Sequence, residues 1–306
     1  MSAAYRIGID LGGTKIEAAV IGAAGEICDR RRIATPMQEY RGTIAAIAGL
    51  VRQLEAEIGA TASVGIGIPG TIVADTGLVK NANSTWLNHQ PLGRDVEAAL
   101  RRPVRFANDA NCFALSEAVD GAASGLGSVF GVILGTGVGG GIVIDGRILV
   151  GANAIAGEWG HNPLPAPQSG ESPGPPCYCG RRGCIETYLS GPGLAADHRR
   201  HTGRDLGSRA IVNAAEDGDA ECRATLDRYA ERLARALAVV INLIDPDAIV
   251  LGGGLSALSF LYDAVPSRWG AHIMSDRVVT RLLRPRHGDS SGVRGAAWLW
   301  PRDPLG

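Results

Sequence analysis

The sequence predicts a two-domain α/β protein with mixed sheets. Three observations carry that expectation. A chain of 306 residues exceeds one ordinary core and suits two domains of about 100–200 residues each. Strand-like and helix-like stretches alternate along it. A strand–glycine turn–strand unit at the start also recurs 123 residues later, where Gly8, Leu11, Gly12, Val20 and Ile21 meet Gly131, Leu134, Gly135, Val143 and Ile144. Such self-similarity points to an internal duplication.

Taken in order, Tyr5–Asp10 and Ile16–Ile21 read as strands joined by LGGTK, and Glu26–Ala34 as a third strand. Residues 41–58 place Ile44, Ile47, Leu50, Val51, Leu54 and Ile58 three and four apart, an amphipathic helix. SVGIGIPG is a short buried strand closed by Pro69-Gly70. Leu92–Leu100 is helical, PVRFANDAN is a strand with a polar end, and Cys112–Val119 is a helix capped by Asn111. The hairpin pattern restarts over residues 128–149. A Pro/Gly-rich insertion at 162–183 precedes helices near 190–200, 208–216 and 219–243. PDAIVLGGGLS is a strand running into a glycine turn, Val278–Arg284 a last strand, and GVRGAAWLW a closing helix.

Composition excludes several classes. Hydrophobic residues at 45% and charged residues at 20% are globular values. A net charge of −1 gives no field to attract a polyanion, so nucleic acid is not an expected partner. Apolar runs stop short of the ~18 residues a membrane span needs, and the first ten residues lack a secretory signal. A cytoplasmic location is expected. Only two of the 30 basic residues are lysines, Lys15 and Lys80, and both sit beside motifs.

DLGGTK at 10–15 lets backbone N–H groups at Gly12 and Gly13 approach a phosphate, with the Thr14 hydroxyl and Lys15 ammonium beside them. Asp10 could hold Mg²⁺ directly or through water. A tight hairpin alone would also use Gly-Gly. GTGVGG at 135–140 fits a dinucleotide fingerprint, but an alternating strand follows it where that motif needs a helix. A second phosphate-cradling hairpin at Gly135, Thr136 and Gly137 fits better. LGGG at 251–254 turns tightly after a strand. Asp109 ends a buried strand, where a carboxylate either caps a helix or takes a proton from an attacking hydroxyl. Cys177, Cys179 and Cys184 form C-x-C-x4-C, and His161 is the obvious fourth ligand of a closed structural zinc set. Glu158 and Glu186 flank those ligands and suit hydrogen bonds to sugar hydroxyls. The loop KNANSTWLN carries Asn81, Asn83 and Asn88, amides suited to a polyol or to an ordinary turn.

DLGGTK, NDAN, LGTGVGGG, GEWGH, CYCGRRGCIE and LGGGLS, in that order from about residue 6 to residue 300, resemble the ROK family of bacterial sugar kinases and repressors. The resemblance implies an actin/hexokinase-like (ribonuclease H-like) fold with a zinc-binding insertion. It implies an N-terminal domain over 1–119, rejoined by a helix at about 291–303, and a larger domain over 120–290 with the zinc loop at 157–187. ATP and a hexose would bind in the cleft between the domains. It makes Asp109 the catalytic base, and Asn83, Asn108, Asp109, Glu158, His161 and Glu186 the sugar-binding residues. ATP phosphates would lie against 12–15 and 135–137, adenosine near Gly252, Gly253 and Gly254, and Asp10 toward Mg²⁺. A homodimer is expected.

KNANSTWLN, EWGHNPLP and HGDSSGVRGAAWLW look most like fructokinases of the fructo-/mannokinase type. The expected reaction is phosphorylation of D-fructose to fructose 6-phosphate, with mannose second. Glucokinase or N-acetylglucosamine kinase is the alternative. N-acetylglucosamine is expected to be poor, because no apolar cluster in 81–88 or 157–163 clearly houses an acetyl methyl; only Trp86 and Trp159 could. Repressors of the family add an N-terminal helix-turn-helix, for which the first hairpin, starting by residue 6, leaves no room; a sugar-responsive regulator without kinase activity is the reading from a different class.

Overall fold

The computed structural model describes residues 5–300. In chain order its elements are β1 (Arg6–Leu11), β2 (Lys15–Ile21), β3 (Ile27–Ala34), α1 (Tyr40–Ile58), β4 (Ser63–Ile68), β5 (Thr71–Ile72), β6 (Val79–Lys80), α2 (Leu92–Leu100), β7 (Val104–Asn108), α3 (Asp109–Val119), β8 (Ser128–Leu134), β9 (Val138–Ile144) and β10 (Arg147–Ile148). There follow α4 (Glu186–Leu189), α5 (Gly191–Thr202), α6 (Ser208–Glu216), α7 (Ala220–Ile244), β11 (Ala248–Gly252), α8 (Leu261–Ala264), α9 (Pro266–Trp269), β12 (Arg281–Leu283) and α10 (Ser291–Trp298). They divide into two compact units. One comprises the chain up to Gly125, Gly141–Ala156 and the segment from Arg286; the other comprises Leu126–Gly140 and Gly157–Pro285.

The first unit is built on a sheet of order β3-β2-β1-β4-β7. β1 runs antiparallel to β2 but parallel to β4, and β4 parallel to β7. β1 and β4 are buried almost throughout, which is why RIGIDL and SVGIGI read as near-continuous apolar runs. Ile47, Leu50, Val51 and Leu54 of α1 are buried in the same core. α10 lies against this sheet at backbone distance. Gly8 and Gly65 are register partners. A Cβ on Gly8 would stand 1.8 Å from the Val293 carbonyl oxygen, and one on Gly65 1.8 Å from that of Ala296. Gly295 is as close to Cys112 of α3, where a Cβ would meet the carbonyl oxygen at 1.7 Å. Glu117, wholly buried on α3, accepts hydrogen bonds from the Arg286 N–H (3.0 Å) and the Ser291 hydroxyl (2.9 Å), fixing where the chain returns. The closing helix begins at the expected residue and ends at Trp298, short of the expected 303; residues 301–303 lie outside the described residues.

The second sheet has the order β10-β9-β8-β11-β12, with β8, β11 and β12 mutually parallel. β8 takes the place of β1, β9 of β2 and β11 of β4, so the Gly8–Gly131 similarity corresponds to two sheets of one design. β9 begins at Val138 directly after the glycine turn, so no helix follows GTGVGG. Several boundaries differ from the sequence expectation. α3 starts at Asp109 because Asn108, not Asn111, is its cap: the Asn108 Oδ1 accepts from the Ala110 N–H at 2.9 Å. Residues 141–156 group with the first unit, where Gly141 backs onto α3 so closely that a Cβ would lie 2.6 Å from the Ala110 oxygen. β12 pairs over three residues only, Arg281–Leu283 beside Ala248–Val250. Among the described residues no helix is long and apolar enough to cross a membrane.

The glycine contacts give a paired prediction. Gly65→Ala should destabilise the protein by at least about 2 kcal/mol, since a rigid carbonyl blocks the new methyl. Gly49→Ala in α1, where nothing lies within 4 Å of a Cβ, should be neutral or stabilising by up to ~1 kcal/mol. Chemical denaturation of both variants checks the contrast.

Candidate active site

In the first unit the turn after β1 is closed by the Gly12 N–H donating to the Lys15 oxygen (3.0 Å) and by the Thr35 hydroxyl donating to the Gly12 oxygen (2.8 Å). Thr14 and Lys15 are exposed at its tip. A Cβ on Gly13 would lie 3.3 Å from the Ser84 Oγ, so loop 81–88 abuts the turn. Asn88 clasps that loop through both amide atoms, accepting from the Ala82 N–H and donating to the Ala82 oxygen, while Asn83 stays exposed. Lys80 donates to the Asn153 oxygen at 2.9 Å and so holds the loop. Asn108 is used at both ends, as the α3 cap and as a donor to the Gly70 oxygen at 3.3 Å. Asp109 is exposed at the head of α3, its Oδ1 accepting from the Ala110 N–H. Helix N-termini favour the ionised carboxylate. Burial and the Glu17 charge raise the Asp10 pKa, opposed by Lys15. Burial pushes the Cys112 thiol up, with further pushes from the charges of Asp10 and Asp109, so both carboxylates neighbour it.

In the second unit His161 Nδ1 and the sulfurs of Cys177, Cys179 and Cys184 all lie within 4.8 Å of one another, the ring nitrogen 3.5 Å from Cys177 and the Cys179 and Cys184 sulfurs 3.6 Å apart. Bonds of about 2.3 Å to sulfur and about 2.0–2.1 Å to nitrogen set tetrahedral ligand atoms roughly 3.5–3.8 Å apart, so the set fits zinc. The Arg181 backbone N–H and side chain lower the Cys179 thiol to about 6, while burial and its neighbouring thiols push Cys184 up to about 12. The three would ionise together only beside a cation. The GEWGH segment lies on β9 with no room for side chains: a Cβ on Gly160 would be 2.1 Å from the Val138 oxygen. Trp159 anchors it, donating from Nε1 to the Gly139 oxygen at 2.9 Å and meeting Phe130 edge-on at 5.7 Å. Trp159 is thus buried packing and offers no acetyl niche. Glu158 is exposed, and Glu186 Oε2 accepts from the Val138 N–H at 2.9 Å, tying the cysteine loop to the second glycine turn. Gly135, Thr136 and Gly254 line one cavity of ≈ 900 Å³ together with Ser208 and Asn213. Gly137 faces Glu186, and Gly252 is buried in β11. Gly253, at φ +78°, backs onto the end of β8, where a Cβ would meet the Leu134 oxygen at 2.5 Å.

A sequence profile described as the ROK family matches residues 6–303. The chain belongs to the ROK family. It is similar to the N-acetyl-D-glucosamine kinase of Aliivibrio salmonicida, 42% identical over 299 residues that cover 95% of this chain and 98% of that protein. The protein of the same name from Vibrio cholerae serotype O1 is 41% identical with the same coverage. Among solved structures, a ROK hexokinase from Thermus thermophilus superposes with a TM-score of 0.85 at 31% identity over 96% of each chain. A ROK glucokinase from Streptomyces griseus, in complex with glucose and AMPPNP, gives 0.77 at 30% identity over 96% of this chain and 98% of that one. The fold is the actin/hexokinase-like α/β fold with mixed sheets. The expected fructokinase subgroup gains no support, since both relatives carry the name of the expected alternative.

One anchor of this ROK protein escaped the sequence reading. Glu171, in the middle of the insertion, is buried and ion-paired to Arg232 (2.7 Å) and Arg235 (2.8 Å) of α7. Arg232 reaches on to the buried Asp197 at 2.8 Å. Glutamate in a Pro/Gly-rich loop carries no burial signal; only the arginines at 228, 232 and 235, on one face of α7, could have hinted at it. Burial would raise the Glu171 pKa, but hydrogen bonds from Arg232, the Gln168 N–H and Arg235 outweigh it and hold the carboxyl low. A depressed folded pKa stabilises above the ordinary glutamate value of ~4.3 and that contribution is lost as pH falls through the folded value. Glu171→Gln should therefore cost about 3–5 kcal/mol at pH 7, because two buried arginines lose their anion. The deficit should shrink as the pH falls below about 4. Denaturant titrations at pH 7 and pH 3.5 measure both.

Proposed function

We propose that this chain transfers the γ-phosphoryl group of ATP to the 6-hydroxyl of a hexose and that N-acetylglucosamine is its preferred substrate. The observation that carries the substrate is the 42% identity to an N-acetylglucosamine kinase along 98% of that protein. The S. griseus relative in complex with glucose and AMPPNP supports ATP as donor. The polar groups that suggested fructose suit an acetamido group equally well. Its N–H donates to a carboxylate and its oxygen accepts from an amide or imidazole.

Asp109 accepts the proton of the 6-hydroxyl as that oxygen attacks the γ-phosphorus; the bond from the γ-phosphorus to the bridging oxygen breaks and ADP leaves. Its exposure at the head of α3 supports this role. Asn108, with both amide ends engaged, acts by fixing that helix start. Asn83, Glu158, His161 and Glu186 bind sugar hydroxyls. The turns at Gly12–Lys15 and 135–137 receive the phosphates, and the cavity beside Gly254 the adenosine. Asp10 would hold Mg²⁺, which supplies charge neutralisation on the phosphates. His161, Cys177, Cys179 and Cys184 would hold a structural Zn²⁺ with no position left for water.

Initial rates with ATP and Mg²⁺ test the reading. N-acetylglucosamine should exceed fructose at least tenfold in kcat/KM, with glucose and mannose between. A tenfold excess of fructose would overturn the substrate assignment, and no turnover of any hexose would overturn the kinase assignment. Asp109→Asn should lower kcat by about 10²–10⁴-fold while sugar affinity, read by calorimetry, changes little.

A further inference from the structure

Tyr178 stands between two of the metal-ligand cysteines, and its side chain is 83% exposed. Buried or half-buried tyrosines are the rule, so its exposure calls for a reason. Its ring meets the His161 ring edge-on, with centroids 5.1 Å apart and planes at 87°. Its hydroxyl lies 2.9 Å from His161 Nε2, on the side of the imidazole away from Cys177. The negative charges of Glu186 and Glu158 act on its phenol. The phenol oxygen therefore sits within electrostatic reach of Glu158 and Glu186 and in hydrogen-bond contact with His161.

With a metal held on Nδ1, which faces the Cys177 sulfur, the ring proton would sit on Nε2 and would donate to the Tyr178 oxygen. A sugar hydroxyl oxygen would accept the same bond and donate to a carboxylate. We propose that Tyr178 is a self-cap of the sugar site, its hydroxyl occupying on His161 Nε2 the position that a hexose hydroxyl takes. The inference rests on the sugar-kinase reading above. The cap rests on a backbone fixed at both ends, by the Cys177 N–H donating to the Arg181 oxygen (2.8 Å) and the Gly180 N–H donating to the Cys177 oxygen (3.0 Å). Only the exposed side chain has to rotate. Sugar entry thus exchanges one hydrogen bond for another, and a ligand without a hydroxyl at that point leaves the cap closed. Tyr178 sharpens discrimination at the expense of affinity.

Tyr178→Phe tests this, because it removes the competing oxygen and keeps the ring. Calorimetric Kd for N-acetylglucosamine should fall two- to tenfold, the worth of one net hydrogen bond, and the gain should appear in KM rather than kcat. In a series of deoxy analogues, the gain should vanish for the one lacking the hydroxyl that meets His161. An unchanged or weaker Kd, or an equal gain for every analogue, overturns the cap. Wild-type protein that binds and phosphorylates hexose alongside such a result leaves the kinase reading standing. Wild-type protein that neither binds nor phosphorylates any hexose overturns both.

Discussion

Four ligand atoms within 4.8 Å, drawn from segments sixteen or more residues apart, are the constraint on which the second unit's polar face depends. Neither segment has regular structure of its own to hold it. GEWGH is a single 3-10 turn pressed on β9, and the cysteine loop is a Pro/Gly-rich excursion. Three thiolates this close would repel one another and would need a cation to ionise together, which is the argument for the proposed zinc. Around that point the chain adds fixings that need no metal. Trp159 locks one segment to β9, Glu186 hooks the other to the second glycine turn, and Glu171 bolts the insertion to α7. Glu158, His161, Tyr178 and Glu186 thereby share one neighbourhood, with buried Trp159 and Ile185 beside them.

The first unit solves the corresponding problem differently. The proposed base Asp109 would need a rigid helix start, and α3 has one because Asn108 caps it while Gly295 lets α10 touch α3 backbone to backbone. The same helix rests on Gly8 and Gly65 of the central strands. Close packing without side chains leaves no slack, so the head of α3 inherits the stiffness of the sheet. Precision at one carboxylate is what general-base catalysis asks of a fold.

Much of this was legible in the sequence because its signals are local. Two glycine hairpins, the C-x-C-x4-C spacing and the apolar period of α1 each declare themselves within a dozen residues. The duplication was visible in part at Gly8, because a strand centre pressed by the α10 backbone tolerates nothing larger. What was misread or missed depends on distant partners. Asn111 looked like a helix cap as much as Asn108 does; only the hydrogen bond to the Ala110 N–H separates them. Trp159 looked able to house an acetyl methyl but is core, packed edge-on against Phe130, 29 positions earlier. Glu171 and Tyr178 were invisible, since an acid and a tyrosine in a loop announce neither α7 nor His161. Sugar choice was the weakest reading for the same reason: hydroxyl and acetamido groups ask similar donors and acceptors of a site, and their discrimination lies in placement.

The central claim is that one metal clamp builds the face that binds the sugar. Coupling of that kind is reciprocal: if zinc helps hold the sugar residues in place, bound sugar must help hold zinc. The direct measurement is the rate at which the purified protein loses zinc to a chromogenic chelator, with and without saturating N-acetylglucosamine. The account predicts about one zinc per chain and a release rate slowed several-fold by the sugar but not by a non-binding polyol. Protein free of zinc, or release at the same rate with and without sugar, would contradict it.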